Sequence, residues 1–412
     1  MLLKKVKSII GDEYKDVKRC VLAYSGGLDS NVMVSLLQEM GIEVVTVCVD
    51  LGQKEVKDTE KMAKKLVKKH YTVDGKADFL KNINKGIKAN CLYEGYLNSA
   101  GFSRPLIARY LAEVGRKEKV NAVVHGSSGY GNEQLIMENA LRALGPEFHA
   151  IAPIRDWDLK RDECIEYARK KKLPGKIKGE SLFSVDENLW ARTIRQGAVL
   201  DQSMKVPDEA FEWTVDPKMA PDKKMFVEIG FENGIPETLV VMDERKKVVD
   251  ETTEVVNALN KIGGANGVGR FDAIDDKVVG LKMREAREAP AACILSAAHK
   301  DLERLTLTAM ELNEKDHIDH TWNMLVHDGG WYTRLRLDLE GFIDRTQKAV
   351  DGKVTVEIYK GGASIVGRTS RHALYYIRMG ARDRETIWDQ KVTRYFARLH
   401  GLQDSIAFTM ED

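Results

Sequence analysis

The run CVLAYSGGLDS at residues 20–30 sets an apolar segment, Val21-Leu22-Ala23, directly before Ser25-Gly26-Gly27-Leu28-Asp29-Ser30, and a helical pattern begins at Asn31. That order spells a strand, a glycine turn and a helix start. Paired glycines let the backbone approach a polyanion closely, and the free N–H groups and positive dipole end of the helix favour phosphate. Ser25 and Ser30 can add hydroxyl donors. Asp29 is the odd member, because a carboxylate beside phosphate repels unless a cation bridges them, and Mg²⁺ is the simplest bridge. No Gly-Lys-Ser/Thr follows, so this is not a Walker loop, and the GxGxxG dinucleotide pattern is absent from it.

Around this loop the chain alternates. Val44–Val49 is a buried-strand run ending in Asp50-Leu51-Gly52-Gln53, Lys57–Lys69 has helical spacing, and His70–Val73 fits a third strand. Asn121–Val124 is closed by His125-Gly126-Ser127-Ser128-Gly129, and His149–Ile151 ends in Ala152-Pro153. Alternation predicts an α/β fold with a parallel, doubly wound sheet. Ligands bind such sheets beyond the carboxyl ends of the strands, so the loops after Ala23, Val49, Val124 and Ile151 should converge. The character changes near Pro174-Gly175, where Gly- and Pro-punctuated shorter strands suggest a second, α+β domain. Residues 371–402 are helix-like and aromatic, fit for packing on their own domain or on another subunit. The expected division is 1–174, 175–370 and 371–412.

At 412 residues the chain is too long for one ordinary core. A net charge of +1 gives no strong pull toward nucleic acid or anionic membrane, and the lysine clusters suit solvated helix faces. No run of 18 apolar residues spans a bilayer, and the charged N-terminus does not suit a secretory signal. Five cysteines without CxxC spacing suit reduced thiols in a cytoplasmic protein.

The loop resembles the SGGxDS phosphate loop of the ATP-pyrophosphatases, which split ATP into AMP and pyrophosphate. Further segments narrow this: VDLGQ at 49–53, IKANCLYEGY at 87–96, SRPLIAR at 103–109, HGSSGYGNEQ at 125–134, IAPIRDW at 151–157, SVDENLWART at 184–193, NGVGRFD at 266–272 and AAHKDLERLTL at 297–307. Together, in order, they resemble the argininosuccinate synthase family. The resemblance implies an adenine nucleotide alpha hydrolase-like nucleotide domain, a synthetase domain and a C-terminal oligomerisation helix in a homotetramer. It also implies a ligase that adenylates the ureido oxygen of citrulline and lets the amine of aspartate displace AMP. The ureido carbon is a poor electrophile with no leaving group, and adenylation supplies one; the rest is largely positioning. The implied ATP site comprises Ala23, Ser25, Gly26, Gly27, Asp29, Ser30, Val49 and Gly126. Asp29 and Ser25 serve the reaction there, and Asp29 meets Mg²⁺ indirectly through ATP. The implied amino-acid site comprises Tyr96, Arg104, Ser128, Asn132, Glu133, Ser184, Thr193, Asp275 and Arg287.

That second site departs from the family pattern while the ATP loop is whole. In the segment corresponding to GKGNDQVRFE, the arginine expected to pair with the citrulline α-carboxylate is Ile136, the aspartate is Glu133 and the lysine is Tyr130. A buried carboxylate needs a cation or several donors, and isoleucine offers neither. The threonine of TSLARP becomes Ala100, and Phe102 adds bulk. The glutamate of GVGRiDivEnR is Asp275, and SRGvYEtP appears as Met283-Arg284-Glu285-Ala286-Arg287-Glu288-Ala289-Pro290, which puts Arg287 in place of a tyrosine. Such clustering suggests retained adenylation with an altered acceptor pocket; citrulline and aspartate remain the named pair with most support. Two other functions stay open: a sulfurtransferase using Cys91 as sulfur carrier, and a nonenzymatic ATP-binding protein.

Overall fold

The computed structural model describes residues 2–9, 14, 16–175, 183–242, 246–249, 251–380 and 387–410. Helix α1 (Leu2–Ile9) precedes β1 (Arg19–Ala23), α2 (Leu28–Glu39), β2 (Glu43–Asp50), α3 (Val56–Leu66), β3 (Lys69–Asp74) and α4 (Lys76–Lys88). A short hairpin, β4 (Leu92–Tyr93) and β5 (Tyr96–Leu97), leads into α5 (Ala100–Glu118) and β6 (Ala122–Val124). Then come α6 (Glu133–Leu144), β7 (His149–Ile151), α7 (Pro153–Asp156) and α8 (Arg161–Lys171). β1, β2, β3, β6 and β7 form one parallel sheet in the order β3-β2-β1-β6-β7. Strand order reverses between β1 and β6, which opens a crevice at their carboxyl ends. The inner strands β1, β2 and β6 are buried apolar runs, as parallel strands covered on both faces must be, while the edge strand β3 is polar and partly exposed. The helical spacing over Lys57–Lys69 overran its helix: α3 stops at Leu66, the extended Val67 caps it, and Lys69 opens β3.

The second half holds two antiparallel sheets. β8 (Ser184–Glu187) and β9 (Arg192–Arg195) form one sheet with the hairpin β13 (Arg270–Lys277) and β14 (Leu281–Glu288), while β10 (Met225–Glu232), β11 (Ile235–Val241) and β12 (Lys246–Val249) begin the other sheet. Helix α9 (Thr252–Ala265) leads to the hairpin β13 (Arg270–Lys277) and β14 (Leu281–Glu288). Three helices follow, α10 (Pro290–Thr306), α11 (Ala309–His327) and α12 (Arg334–Gln347). Each has a local reason to start where it does. Pro290 occupies the first turn of α10. Thr308 and Glu311 exchange side chain-to-backbone bonds at the start of α11, and Thr333 accepts from Arg336 N at the start of α12. β15 (Gly352–Tyr359) and β16 (Gly362–Thr369) complete the sheet in the order β12-β11-β10-β15-β16. One apolar core runs through both halves, from Val21 and Leu36 to Leu295 and Val356.

The C-terminal segment is helical, in three short pieces: α13 (Ile377–Gly380), α14 (Thr393–Leu399) and α15 (Leu402–Thr409). None of the three buries a residue. Helices this short hold together through packing rather than propensity, and among the described residues none of these three is buried against the rest of the chain. Tyr375, Phe396, Leu399 and Phe408 stand at 66–73% exposure. The five cysteines are unpaired, with Cys20, Cys48, Cys91 and Cys164 buried and Cys293 half-buried. Among the described residues no helix is long and apolar enough to cross a membrane.

Candidate active site

The glycine loop lies at the point of reversal. β1 ends at Ala23, Tyr24 N donates to Val47 O at 2.8 Å, and Gly27 caps α2. Gly26 takes φ +74°, and a Cβ there would lie 2.8 Å from Met62 Cε and from Thr59 Oγ1. Only glycine fits both the torsion and the space. Ser25 and Gly27 are exposed, and Ser30 Oγ donates to Gly27 O at 2.9 Å. Asn31, 3% exposed, ties the loop down: its amide donates to Gly26 O at 3.2 Å and to Pro174 O at 2.9 Å, and its oxygen accepts from Tyr24 OH. Asp29 is half-buried, and burial raises its pKa against the opposing charge of Arg161. The Arg161 charge does not offset that burial, which fits a carboxylate that meets a nucleotide-borne cation.

The flanking strand ends complete this region. Val49 is buried at the end of β2, and its carbonyl accepts from Gln53 Nε2 at 2.8 Å. Gly126 follows β6; a Cβ on it would come within 2.9 Å of Met33 Cε. His125 is buried. Ser127 N donates to its Nδ1 at 3.4 Å, and its Nε2 lies 3.7 Å from Glu138 Oε1.

The predicted amino-acid residues gather in a second cluster, joined to the first through the turn that carries Ser128 and the start of α6. Asn132 Oδ1 accepts from Val278 N at 2.9 Å, and its amide donates to His327 O at 3.2 Å. Glu133 pairs with Arg195. Burial opposes the Glu133 charge, but Arg195 and Arg104 outweigh it and hold the carboxyl at about 2. Thr193 faces Asp186 on β8 and Arg287 on β14, Arg104 pairs with Asp186, and Ser184 lies opposite Arg195 in the same sheet. Asp275 is buried and pairs with Lys277 and, at 3.0 Å, with His327 Nε2. Burial works against a charged His327, but Asp275 and Asp328 prevail and raise it to about 9. Tyr96, buried on β5, donates to Glu285 Oε2 at 3.1 Å, and the guanidinium of Arg287 stacks 3.8 Å from its ring centre. Arg287 is 3% exposed and donates to Glu285 at 2.9 Å, to Leu97 O and to Tyr96 OH.

Sequence reasoning missed Asn31, Arg195, Glu285 and His327. Arg195 and Glu285 each sit two residues from a predicted position, Thr193 and Arg287, and strand alternation could have placed Glu285 beside Arg287 on one face. His327 had no local signal. Cys91 is present at the hairpin but is buried against Ser296 Oγ at 3.0 Å, and burial pushes its thiol up to about 12. A thiol so held is a poor sulfur carrier, so the sulfurtransferase alternative loses its residue.

Residues 19–174 match the family described as arginosuccinate synthase N-terminal HUP domain, and residues 183–407 match the arginosuccinate synthase C-terminal domain. The argininosuccinate synthase of Pyrococcus furiosus is 46% identical over 399 residues, covering 95% of each chain. That of Methanopyrus kandleri is 45% identical over 397 residues, covering 95% of this chain and 99% of its own. That of Archaeoglobus fulgidus is 46% identical over 389 residues, covering 93% and 97%. With two family matches across most of its length and relatives this similar end to end, the chain belongs to the argininosuccinate synthase family.

Proposed function

We propose that the chain is an ATP-dependent ligase that adenylates a ureido-type carbonyl oxygen, releases pyrophosphate and joins the carbon to the amine of aspartate. The observation that carries this is the loop at the sheet reversal: left-handed Gly26, exposed Gly27 and the start of α2 present backbone donors beside the half-buried carboxylate of Asp29. Ser25, Gly26, Gly27 and Ser30 hold the phosphates, Ala23, Val49 and Gly126 border the nucleotide, and Asp29 would meet the Mg²⁺ indirectly through ATP. Mg²⁺ when bound would offset phosphate charge. Ser25 and Asp29 keep the phosphates in line for displacement, and the buried pairs of the second cluster give the acceptor a rigid, dry wall. Citrulline is the acceptor named by the relatives' product. The acceptor and aspartate meet Tyr96, Arg104, Ser128, Asn132, Glu133, Ser184, Thr193, Asp275 and Arg287.

The division at 174/175 and the arm beyond 370 belong to the same proposal: the arm, exposed in the single chain, packs between subunits of a homotetramer in the cytoplasm. Incubation with Mg-ATP, citrulline and aspartate should release pyrophosphate and yield argininosuccinate by mass. Absence of pyrophosphate with every ureido acceptor would overturn the ligase reading in favour of a nonenzymatic ATP-binding protein.

A further inference from the structure

The glycine loop is held in place by its carbonyls. Thr59 Oγ1 donates to Ser25 O at 3.3 Å, Asn31 Nδ2 to Gly26 O at 3.2 Å, and Ser30 Oγ to Gly27 O at 2.9 Å. No peptide bond among the described residues is cis, and in a trans peptide the carbonyl and the following N–H point opposite ways. Each held carbonyl therefore sets the direction of the next N–H, on Gly26, Gly27 and Leu28 in turn. Thr59 and Asn31 are each 3% exposed, whereas Gly27 is exposed. The Gly27 N–H thus faces away from Asn31, with Ser25 Oγ 3.4 Å from it. Successive N–H groups turned one way make an anion-binding concavity.

Asn31 has little freedom in this arrangement. Its amide also donates to Pro174 O at 2.9 Å, and its oxygen accepts from the Tyr24 hydroxyl. With both donors and the acceptor engaged, the amide sits only one way round. The backbone beyond Pro174 is as constrained. Gly175 takes φ +106°, and a Cβ there would lie 3.2 Å from Asn31 Nδ2 and 3.4 Å from Met62 Sδ. Pro174 closes the stretch matched to the N-terminal family domain. One side chain therefore joins the phosphate loop to the point where the chain leaves its first half.

We infer that Asn31 is a positioning residue for ATP: its amide turns the Gly26–Gly27 peptide so that the Gly27 N–H faces the phosphates, and it ties that orientation to the backbone at Pro174-Gly175. This rests on the ligase reading above and deepens it. Mg-ATP binding is measured by calorimetry without acceptor, so that no turnover is needed. Asn31→Ala should weaken it at least about tenfold, because a peptide free to turn must be ordered by the ligand. The near-isosteric Asn31→Asp keeps an acceptor for Tyr24, loses both amide donors and should do the same. Gly175→Ala should also weaken binding, by crowding the amide. In turnover, KM for ATP should rise in each variant while KM for citrulline and for aspartate stays within about twofold of the wild type. A merely structural role would lower the unfolding temperature and leave the ATP affinity of the folded protein unchanged. Unchanged Mg-ATP binding in a folded Asn31 variant would overturn the inference, as would an equal rise in all three KM values. If neither Asn31 variant folds, Tyr24→Phe decides, since it removes the bond that orients the amide: weaker Mg-ATP binding supports the role and wild-type affinity overturns it. Pyrophosphate release by the wild type with citrulline and aspartate is read separately. Its absence removes the ligase reading, while the Mg-ATP comparison still decides the role of Asn31.

Discussion

Gly26 shows how far a single residue commits this chain. Its left-handed torsion and the 2.8 Å approach of Met62 and Thr59 leave no room for a methyl group. Gly26→Ala should cut ATP-dependent pyrophosphate release by about 100-fold or more, because displacing a positioning loop by even about 1 Å is that costly. Circular dichroism should show the fold retained, and a variant with full turnover would remove the loop from the reaction. Such loop chemistry was legible because it is short-range: the glycines, Ser30 and Asp29 lie within a few residues of one another. Asn31 was not legible. One of the carbonyls it holds belongs to Pro174, 143 residues away, and nothing near position 31 announces that partner. Arg287 was half legible. The substitution stands out, but a guanidinium aimed at a ligand and one matched to Glu285 look alike until strand register puts both on one face.

At the level of elements, His327 is a joint. It ends α11, pairs with Asp275 on β13, and receives Asn132 from the start of α6, with Tyr93 and Tyr96 of the hairpin packed against its ring. Its folded pKa, about 9, lies above the ordinary histidine value of 6.5. The stability it contributes is therefore complete below about pH 6.5 and is lost as pH rises through about 9. Denaturant unfolding of the wild type should weaken over that window, and His327→Gln should flatten this part of the profile; an identical profile in the variant would refute the joint. The elements themselves were legible where pattern is local. The alternating strands of the first sheet and the hairpins β10–β11 and β15–β16 follow from apolar runs punctuated by glycine and proline. The end of α3 was not, because lysines of helical spacing continue past Leu66 into a strand whose pairing with β2 decides the matter.

Across the whole molecule, the arm formed by α13, α14 and α15 is the unfinished surface. Deleting residues 371–412 should leave a folded chain of lower assembly state by light scattering, because the arm buries none of its helical residues against the rest. Unchanged mass would place the subunit contacts elsewhere. The parallel sheet and its reversal point could be foreseen from the order of strands and helices, whereas the way two halves share one core could not, since that core is made of contacts between residues hundreds apart. The distribution of thiols through that core makes the protein its own reporter of motion. Cys20 and Cys48 lie in neighbouring strands of the first sheet, Cys164 on α8, Cys91 beside the β4–β5 hairpin, and only Cys293 is half-open. A thiol reagent should modify Cys293 first and the other four only as each layer opens, so that the separate labelling rates would chart which parts of the enzyme loosen together and which wait for global unfolding.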